Sequence, residues 1–336
     1  MGDILHALPA IAALRLVHPE WLIDWVIEPR WQALLAAEDA IGRVISRPLV
    51  DHLLFAPTRE WRDAPLSEKT HHEIKLLRRT LREGEYDAVL DLQGAIRSAV
   101  IGRFAGSRRL IGEAEPRERL ARWLYTERVI TRGVHVIEQD VEVASTVAGD
   151  DLAPETPLLP KDPSAEAWAD QVLPASRSVL VNPGAGWGAK RWPVERYSSV
   201  AQGLIDRGFR VFVNAGPREE HLSESIAEAT GGSATPLMCT LSQLIAVTRR
   251  ICLCIAGDTG PLHLACALGR PVVGIYGPTD PGRNGPFGSR FRVLRSPESR
   301  RDHTRHAAPE AGLLTIQPED VLRAADELLG GEKTGA

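Results

Sequence analysis

The chain has 336 residues, 43 % of them hydrophobic and 25 % charged, with a formal net charge of −4. At about 150 residues per domain, that length and balance predict two globular domains with sizeable cores. The charge argues against a general nucleic-acid binder, and no run approaches the about eighteen uncharged apolar residues of a membrane span.

Apolar residues at helical spacing predict an amphipathic helix over 4–17, straight after a turn-like Gly2-Asp3 pair, and residues 1–9 lack the pattern of a signal peptide. A strand at 21–27, a helix at 31–37, a weak strand at 43–45 and a charged helix at 66–83 closed by Gly84 follow. The strand 86–91 ends in Gln93-Gly94, a helix runs to Phe104, and Gly133-Val134-His135 opens another through 137–147. Five prolines between Gly149 and Pro174, around one short helix, read as an interdomain connection. Strand and helix then alternate: strands at 178–181, 210–215, 251–256 and 272–276, helices at 194–207, 218–230, 241–248 and 262–268, and a closing helix at 318–329. Such alternation in both halves predicts two doubly wound α/β domains.

Charge is uneven along this chain. The segment 59–132 carries 16 Lys+Arg against 12 Asp+Glu, net +4, which leaves −8 for the remainder. A solvated helix surface accounts for that as readily as a face for an anionic ligand or a membrane surface. The cysteines Cys239, Cys252, Cys254 and Cys266 all lie in apolar sequence, the pattern of core thiols in a reducing compartment. Cys252-x-Cys254 has no second ligand pair at metal-site spacing, so no metal is expected.

The strongest functional signal is the apolar strand ending in Gly257-Asp258-Thr259-Gly260, with Pro261 and His263 in the first turn of a helix. Free N–H groups and a positive helix end are thereby placed at the carboxyl end of a parallel strand, where open α/β sheets bind phosphorylated ligands. Plain helix capping by Asp258 or Thr259 is the competing reading. A second loop, Gly184-Ala185-Gly186 through Lys190-Arg191, matches the loose dinucleotide pattern G-x-G-x-x-A. However, Pro193 marks a later helix start, and the next strand ends without a carboxylate, so a phosphate held by backbone and Lys190 is the better reading. Glu219, after that next strand, suits ribose hydroxyls or a helix first turn equally well. Asp3 at a helix N-terminus suits a general base or a cap.

These segments resemble a known family. Gly2-Asp3-Ile4-Leu5-His6, Asp91-Leu92-Gln93-Gly94, Lys190-Arg191-Trp192-Pro193, Asp258-Thr259-Gly260-Pro261-Leu262-His263 and Gly277-Pro278-Thr279-Asp280-Pro281-Gly282 look like the lipopolysaccharide heptosyltransferases (glycosyltransferase family 9), the first and last most like the heptosyltransferase I branch. The resemblance implies an α/β GT-B architecture, two Rossmann-like doubly wound domains facing a cleft. It sets an acceptor domain at 1–155, a linker at 156–175, an ADP-sugar domain at 176–316 and a closing helix at 317–330 of the kind that often packs back on the first domain. A Rossmann-like domain opens on a strand before its first turn, so that strand is expected to be missing ahead of Gly2.

The resemblance also implies inverting, metal-independent transfer of L-glycero-D-manno-heptose from ADP-heptose, with no cofactor, onto Kdo of the lipid A inner core. Heptosyltransferase II, another family member, and a non-catalytic nucleotide-sugar binder are the alternatives. Carried over, Asp3 is the base. Lys190, Glu219, Asp258, Thr259, Gly260 and His263 hold the donor, together with the backbone of Ala185 and Gly186, which stand where relatives carry threonines. Arg59, Arg62, Arg97, Arg103, Arg108 and Arg109 are the acceptor candidates. A cytoplasmic monomer, peripheral at the inner membrane and without nucleic-acid partners, is expected.

Overall fold

The computed structural model describes residues 1–39, 41–173, 177–216, 218–299 and 308–330. The chain divides into two compact units, Asp3–Pro160 and the part from Lys161 onward.

In the first unit α1 (Gly2–Val17) precedes β1 (Asp24–Ile27), β2 (Ala37–Glu38), β3 (Val44–Ser46) and β4 (His52–Phe55). Then come α2 (Thr58–Asp63), α3 (Glu68–Glu83), β5 (Val89–Asp91), α4 (Ile96–Phe104), β6 (Leu110–Glu113), β7 (Glu127–Val129) and α5 (Val136–Ala148). β1 pairs in parallel with β4, and β5-β6-β7 form a separate parallel sheet. α3 starts where Ser67 accepts from the Thr70 N–H, and its Leu77 and Leu81 pack against Ala56, Trp61 and Ala105.

Two local expectations differ in this unit. The helix expected at 31–37 is a 3₁₀ turn, Pro29–Leu34, whose proline sets the first-turn φ. α3 ends at Gly84, and the residue after it, Glu85, takes the left-handed conformation at φ 44°. β4, β6 and β7 were not expected from the sequence; three or four residues leave little room for a period-2 signal.

The second unit runs α6 (Pro163–Val172), β8 (Ser178–Asn182), α7 (Val194–Asp206), β9 (Arg210–Asn214), α8 (Glu220–Ala229), β10 (Thr235–Leu237) and α9 (Leu241–Thr248). It continues with β11 (Leu253–Gly257), α10 (Gly260–Ala267), β12 (Val272–Tyr276), α11 (Pro281–Asn284), β13 (Phe291–Arg295) and α12 (Pro318–Gly330). The strand order β10-β9-β8-β11-β12-β13, all parallel, is the doubly wound Rossmann order. Because strand side chains alternate, Val179, Val181, Val211, Val213, Leu253 and Ile255 share one face with Tyr197 and Leu204 of α7, Ile226 of α8 and Val321 and Leu328 of α12. Leu180 and Cys254 on the opposite parity are buried too, as expected of a parallel sheet covered on both sides.

One boundary reading changes here. α6, which falls inside the segment taken as linker, is a packed helix: Ala165 and Ala169 are buried against α9, and Glu166 pairs with Arg249 and Arg250. α12 packs on α7 and β13 through Val321, Ala324, Ala325 and Leu328.

Candidate active site

In an open α/β sheet the crevice for ligands lies where the strand order reverses, outside the carboxyl ends of the two strands that flank the reversal. In the second unit those strands are β8 and β11, in register at Ala256 and Asn182. The loop after β8 carries Gly184 to Lys190, and the one after β11 carries Asp258 and Thr259. The two strongest sequence signals therefore sit side by side for a topological reason.

Their side chains meet. Lys190, at the end of a 3₁₀ turn (Gly188–Lys190), forms an ion pair with Asp258 Oδ2, and both side chains are about nine-tenths buried, at 11 % and 10 % exposure. The other carboxylate oxygen lies 3.1 Å from His263 Nε2. Burial opposes the charge on Asp258, but the His263 hydrogen bond and the charges of His263 and Lys190 outweigh it and hold the carboxyl well below the usual carboxylate range. Lys190 Nζ also stands 4.2 Å from the centroid of the Trp187 ring.

Thr259 is the N-cap of α10, yet its hydroxyl makes no capping bond and donates to the Gly257 carbonyl at 3.2 Å. In the first turn Leu262 N and His263 N donate to the Thr259 carbonyl at 3.1 and 3.4 Å and Pro261 has no N–H, so what this end can offer an anion is the Gly260 N–H and the positive end of the helix. Lys190 is accordingly not a solvated surface lysine. It is a buried cation already facing a carboxylate, and together with the helix end it forms a preorganised electrostatic group.

Glu219 stands at the start of α8, with Oε1 3.3 Å from Arg191 Nη2 and its carboxylate lying over Gly184 and Gly216. A Cβ at Gly184 would overlap Glu219 Oε2, so a side chain there would displace the tip of Glu219. Ala185 is buried, whereas a Cβ at Gly186 would meet open space. The sequence reading missed Asn182 and Asn214, buried at the ends of β8 and β9, where Asn214 Nδ2 donates to Asn182 Oδ1 at 2.7 Å. The signal was present: two apolar strands, Val179-Leu-Val-Asn182 and Val211-Phe-Val-Asn214, each end in the same amide.

In the first unit Asp3 lies in the first turn of α1. Its Oδ2 accepts from Gln93 Nε2 at 3.0 Å and from Arg117 Nη1 at 3.2 Å. The loop after β5 explains that convergence. Buried Asp91 takes the N–H groups of Gln93 (3.0 Å) and Gly94 (3.1 Å) on one oxygen, and the hydroxyls of Ser98 (3.0 Å) and Tyr125 (2.8 Å) on the other. Gly94 adopts φ +64°, and a Cβ there would come within 3.0 Å of the Arg117 nitrogen, so only glycine lets the two backbones meet. Its carbonyl accepts from Glu118 N at 2.9 Å.

Arg117 was not among the acceptor candidates. Of those that were, Arg109 is committed elsewhere: its guanidinium grips Glu127 in a two-bond pair at 2.7 and 2.9 Å. Arg59 and Arg62 are exposed on α2, Arg97 and Arg103 on α4, and Arg108 ahead of β6. Arg62 pairs with Asp63 at 3.2 Å. Arg97 helps to lower the Glu28 carboxyl, where burial is outweighed by the Thr58 hydrogen bond and by Arg30. Among the described residues no cluster of three or more His, Cys, Asp or Glu could hold a metal ion.

Comparison with known proteins gives the family and the fold. The family description "Glycosyltransferase family 9 (heptosyltransferase)" matches residues 74–313. Lipopolysaccharide heptosyltransferase 1 of Escherichia coli K12 is 30 % identical over 309 residues, covering 88 % of this chain and 91 % of the relative. Lipopolysaccharide heptosyltransferase 2 of the same organism is 26 % identical over 361 residues, covering 98 % and 96 %. The solved structure of E. coli heptosyltransferase WaaC with ADP aligns with a TM-score of 0.79 at 26 % identity, covering 98 % of this chain and 97 % of that one.

Proposed function

The chain belongs to glycosyltransferase family 9, the heptosyltransferases, and on that premise we propose that it transfers L-glycero-D-manno-heptose from ADP-heptose to Kdo of the lipid A inner core, with inversion. It is a glycosyltransferase of the α/β GT-B fold class. The observation that carries the donor side is the buried Lys190–Asp258–His263 group beside the N-terminus of α10, at the reversal point of the second sheet.

In the proposed reaction the acceptor hydroxyl oxygen attacks the anomeric carbon of the donor. A carbon–oxygen bond forms as the anomeric C–O bond to the diphosphate breaks. The hydroxyl proton passes to the Asp3 carboxylate, and the bonding electrons leave with ADP. Gln93 and Arg117 hold the Asp3 carboxylate in one orientation, so little reorganisation accompanies proton transfer. Lys190 and the Thr259-Gly260 helix start meet the charge that grows on the departing diphosphate. Glu219 accepts from the ribose hydroxyls, and the backbone of Ala185 and Gly186 lines the donor. Arg59, Arg62, Arg97, Arg103 and Arg108 remain the acceptor side, joined by Arg117.

The likeness to heptosyltransferase 2 gives the second reading, transfer onto an acceptor that already bears one heptose. An ADP-release assay with ADP-heptose separates the two. Turnover on Kdo-bearing lipid A, absent on the heptosylated acceptor, supports the first reading; the reverse supports the second; turnover on neither refutes both. The reading places the enzyme in the cytoplasm, and no helix among the described residues is long and apolar enough to cross a membrane.

A further inference from the structure

We infer that the 3₁₀ turn Arg119–Trp123 and the neighbouring strand β7 form a docking surface for an anionic lipid bilayer, with Trp123 as its interfacial residue. The turn is fixed from below. Ala121 and Tyr125 are buried with Ala99 and Leu110, and the Tyr125 hydroxyl donates to buried Asp91 at 2.8 Å. Trp123 nevertheless stands 63 % exposed and Leu120 66 % exposed. In a 3₁₀ turn residues three apart eclipse, so Leu120 and Trp123 share one side and Arg119 and Arg122 the next. A large apolar ring held in water by a rigid base is a cost that folding alone does not explain.

Charge says what covers it. The guanidinium carbons of Arg122 and Arg128 lie 5.0 and 5.1 Å from the Trp123 ring centroid. Arg128 Nε also donates to the Arg122 carbonyl at 2.9 Å, tying β7 to the turn. Ile130, two residues beyond Arg128 and so on the same side of the extended chain, is 83 % exposed. Of the neighbouring acids, Glu127 pairs with Arg109, while Glu118 accepts from the Ile96 N–H at 2.9 Å and keeps its charge beside Arg119. The surface therefore presents tryptophan, leucine and isoleucine among Arg119, Arg122 and Arg128, with a net positive charge. That combination suits the headgroup level of an anionic bilayer, where the ring sits among acyl carbons and the guanidiniums meet phosphates. A ring that already carries two guanidiniums is a poor platform for stacking a nucleic-acid base.

The test reads binding rather than turnover, so it stands apart from the proposed reaction. Full-length protein is sedimented with phosphatidylcholine vesicles, with and without about a third phosphatidylglycerol. The expected result is binding to the anionic vesicles alone, weakened by salt and about tenfold or more weaker for Trp123→Ala and for the double variant Arg122→Gln/Arg128→Gln. Thermal unfolding midpoints close to wild type, as the exposure of Trp123 predicts, show that the variants are folded. Equal binding by wild type and variants, equal binding to neutral vesicles, or no binding by wild type overturns the proposal. So does a wild-type self-association that Trp123→Ala abolishes while vesicle binding persists.

Discussion

Asp258 divides its two carboxylate oxygens between two partners from different segments, with His263 Nε2 of α10 3.1 Å from Oδ1 and the Lys190 ammonium on Oδ2. Removing one member of a buried pair costs about 3–5 kcal/mol because the partner's charge is stranded. The two removals are unequal. Lys190→Ala leaves Asp258 with His263, whereas Asp258→Ala leaves Lys190 without its carboxylate, so Asp258→Ala is expected to be the more destabilising in urea unfolding. The folded carboxyl is depressed below its unfolded value of about 3.9, so its stability contribution is present above about pH 4 and is lost as pH falls through the folded value. The gap between wild type and Asp258→Asn should therefore narrow as pH falls below about 4.

Glu219 and Gly184 yield a prediction in which affinity and stability separate. An alanine Cβ at 184 would push against the tip of the Glu219 side chain, a flexible group, and not against backbone. Gly184→Ala should therefore shift the melting midpoint little. If the carboxylate takes the ribose as proposed, the same variant raises KM for the ADP-sugar about tenfold, the loss expected for a charge-assisted hydrogen bond. An unchanged KM would remove Glu219 from the donor site.

The second unit was more legible than the first for a physical reason. Its strands β8, β9, β11 and β12 are five residues each and buried on both faces, so they stand out as apolar runs, and the turn after β11 is announced by Gly257-Asp258-Thr259-Gly260-Pro261. In the first unit the strands are two to four residues long and their periodicity has no room to show. Asp3 was visible from the Gly-Asp pair before an apolar helix. Its partners were not, because Gln93 and Arg117 lie 90 and 114 residues away and converge only through the conformation of Gly94. The pairing of Arg109 with Glu127 was hidden likewise, since it joins the strands β6 and β7 that local pattern missed.

Asp3 itself is half exposed, at 50 %, and so is its partner Arg117, at 57 %. Such a pair is worth less than about 1 kcal/mol to stability, so its loss should be read in rate and not in folding. Asp3→Asn is expected to lower kcat by about 10²–10⁴, the range for a lost general base, with donor affinity unchanged. Gln93→Ala and Arg117→Ala should each cost less, because each leaves the carboxylate in place but looser. A single-turnover assay with separately measured ADP binding checks this. Wild-type kcat in Asp3→Asn would reject the base assignment.

Asp91, which shapes the loop behind Asp3, is expected to show the opposite pH behaviour to Asp258. Burial, outweighing four hydrogen bonds, raises its carboxyl above the ordinary value. The protonated form is thus favoured by folding: the associated stability is fully present below about pH 4 and is lost as pH rises through the folded value. Asp91→Asn mimics that neutral form. Its oxygen can keep the N–H groups of Gln93 and Gly94, and its amide can donate to the oxygens of Tyr125 and Ser98. The Ser98 proton has an alternative acceptor in the Ala95 carbonyl at 2.8 Å. Asp91→Asn should therefore fold with near-wild-type stability at pH 4 and gain on wild type as pH rises to 7. Asp91→Ala, which strands buried N–H donors, should lose about 1–3 kcal/mol for each group left unpaired. Urea unfolding of the three proteins at pH 4, 5.5 and 7 decides it. An asparagine variant that loses ground with rising pH would mean that the ionised carboxylate, and not its geometry, holds the loop.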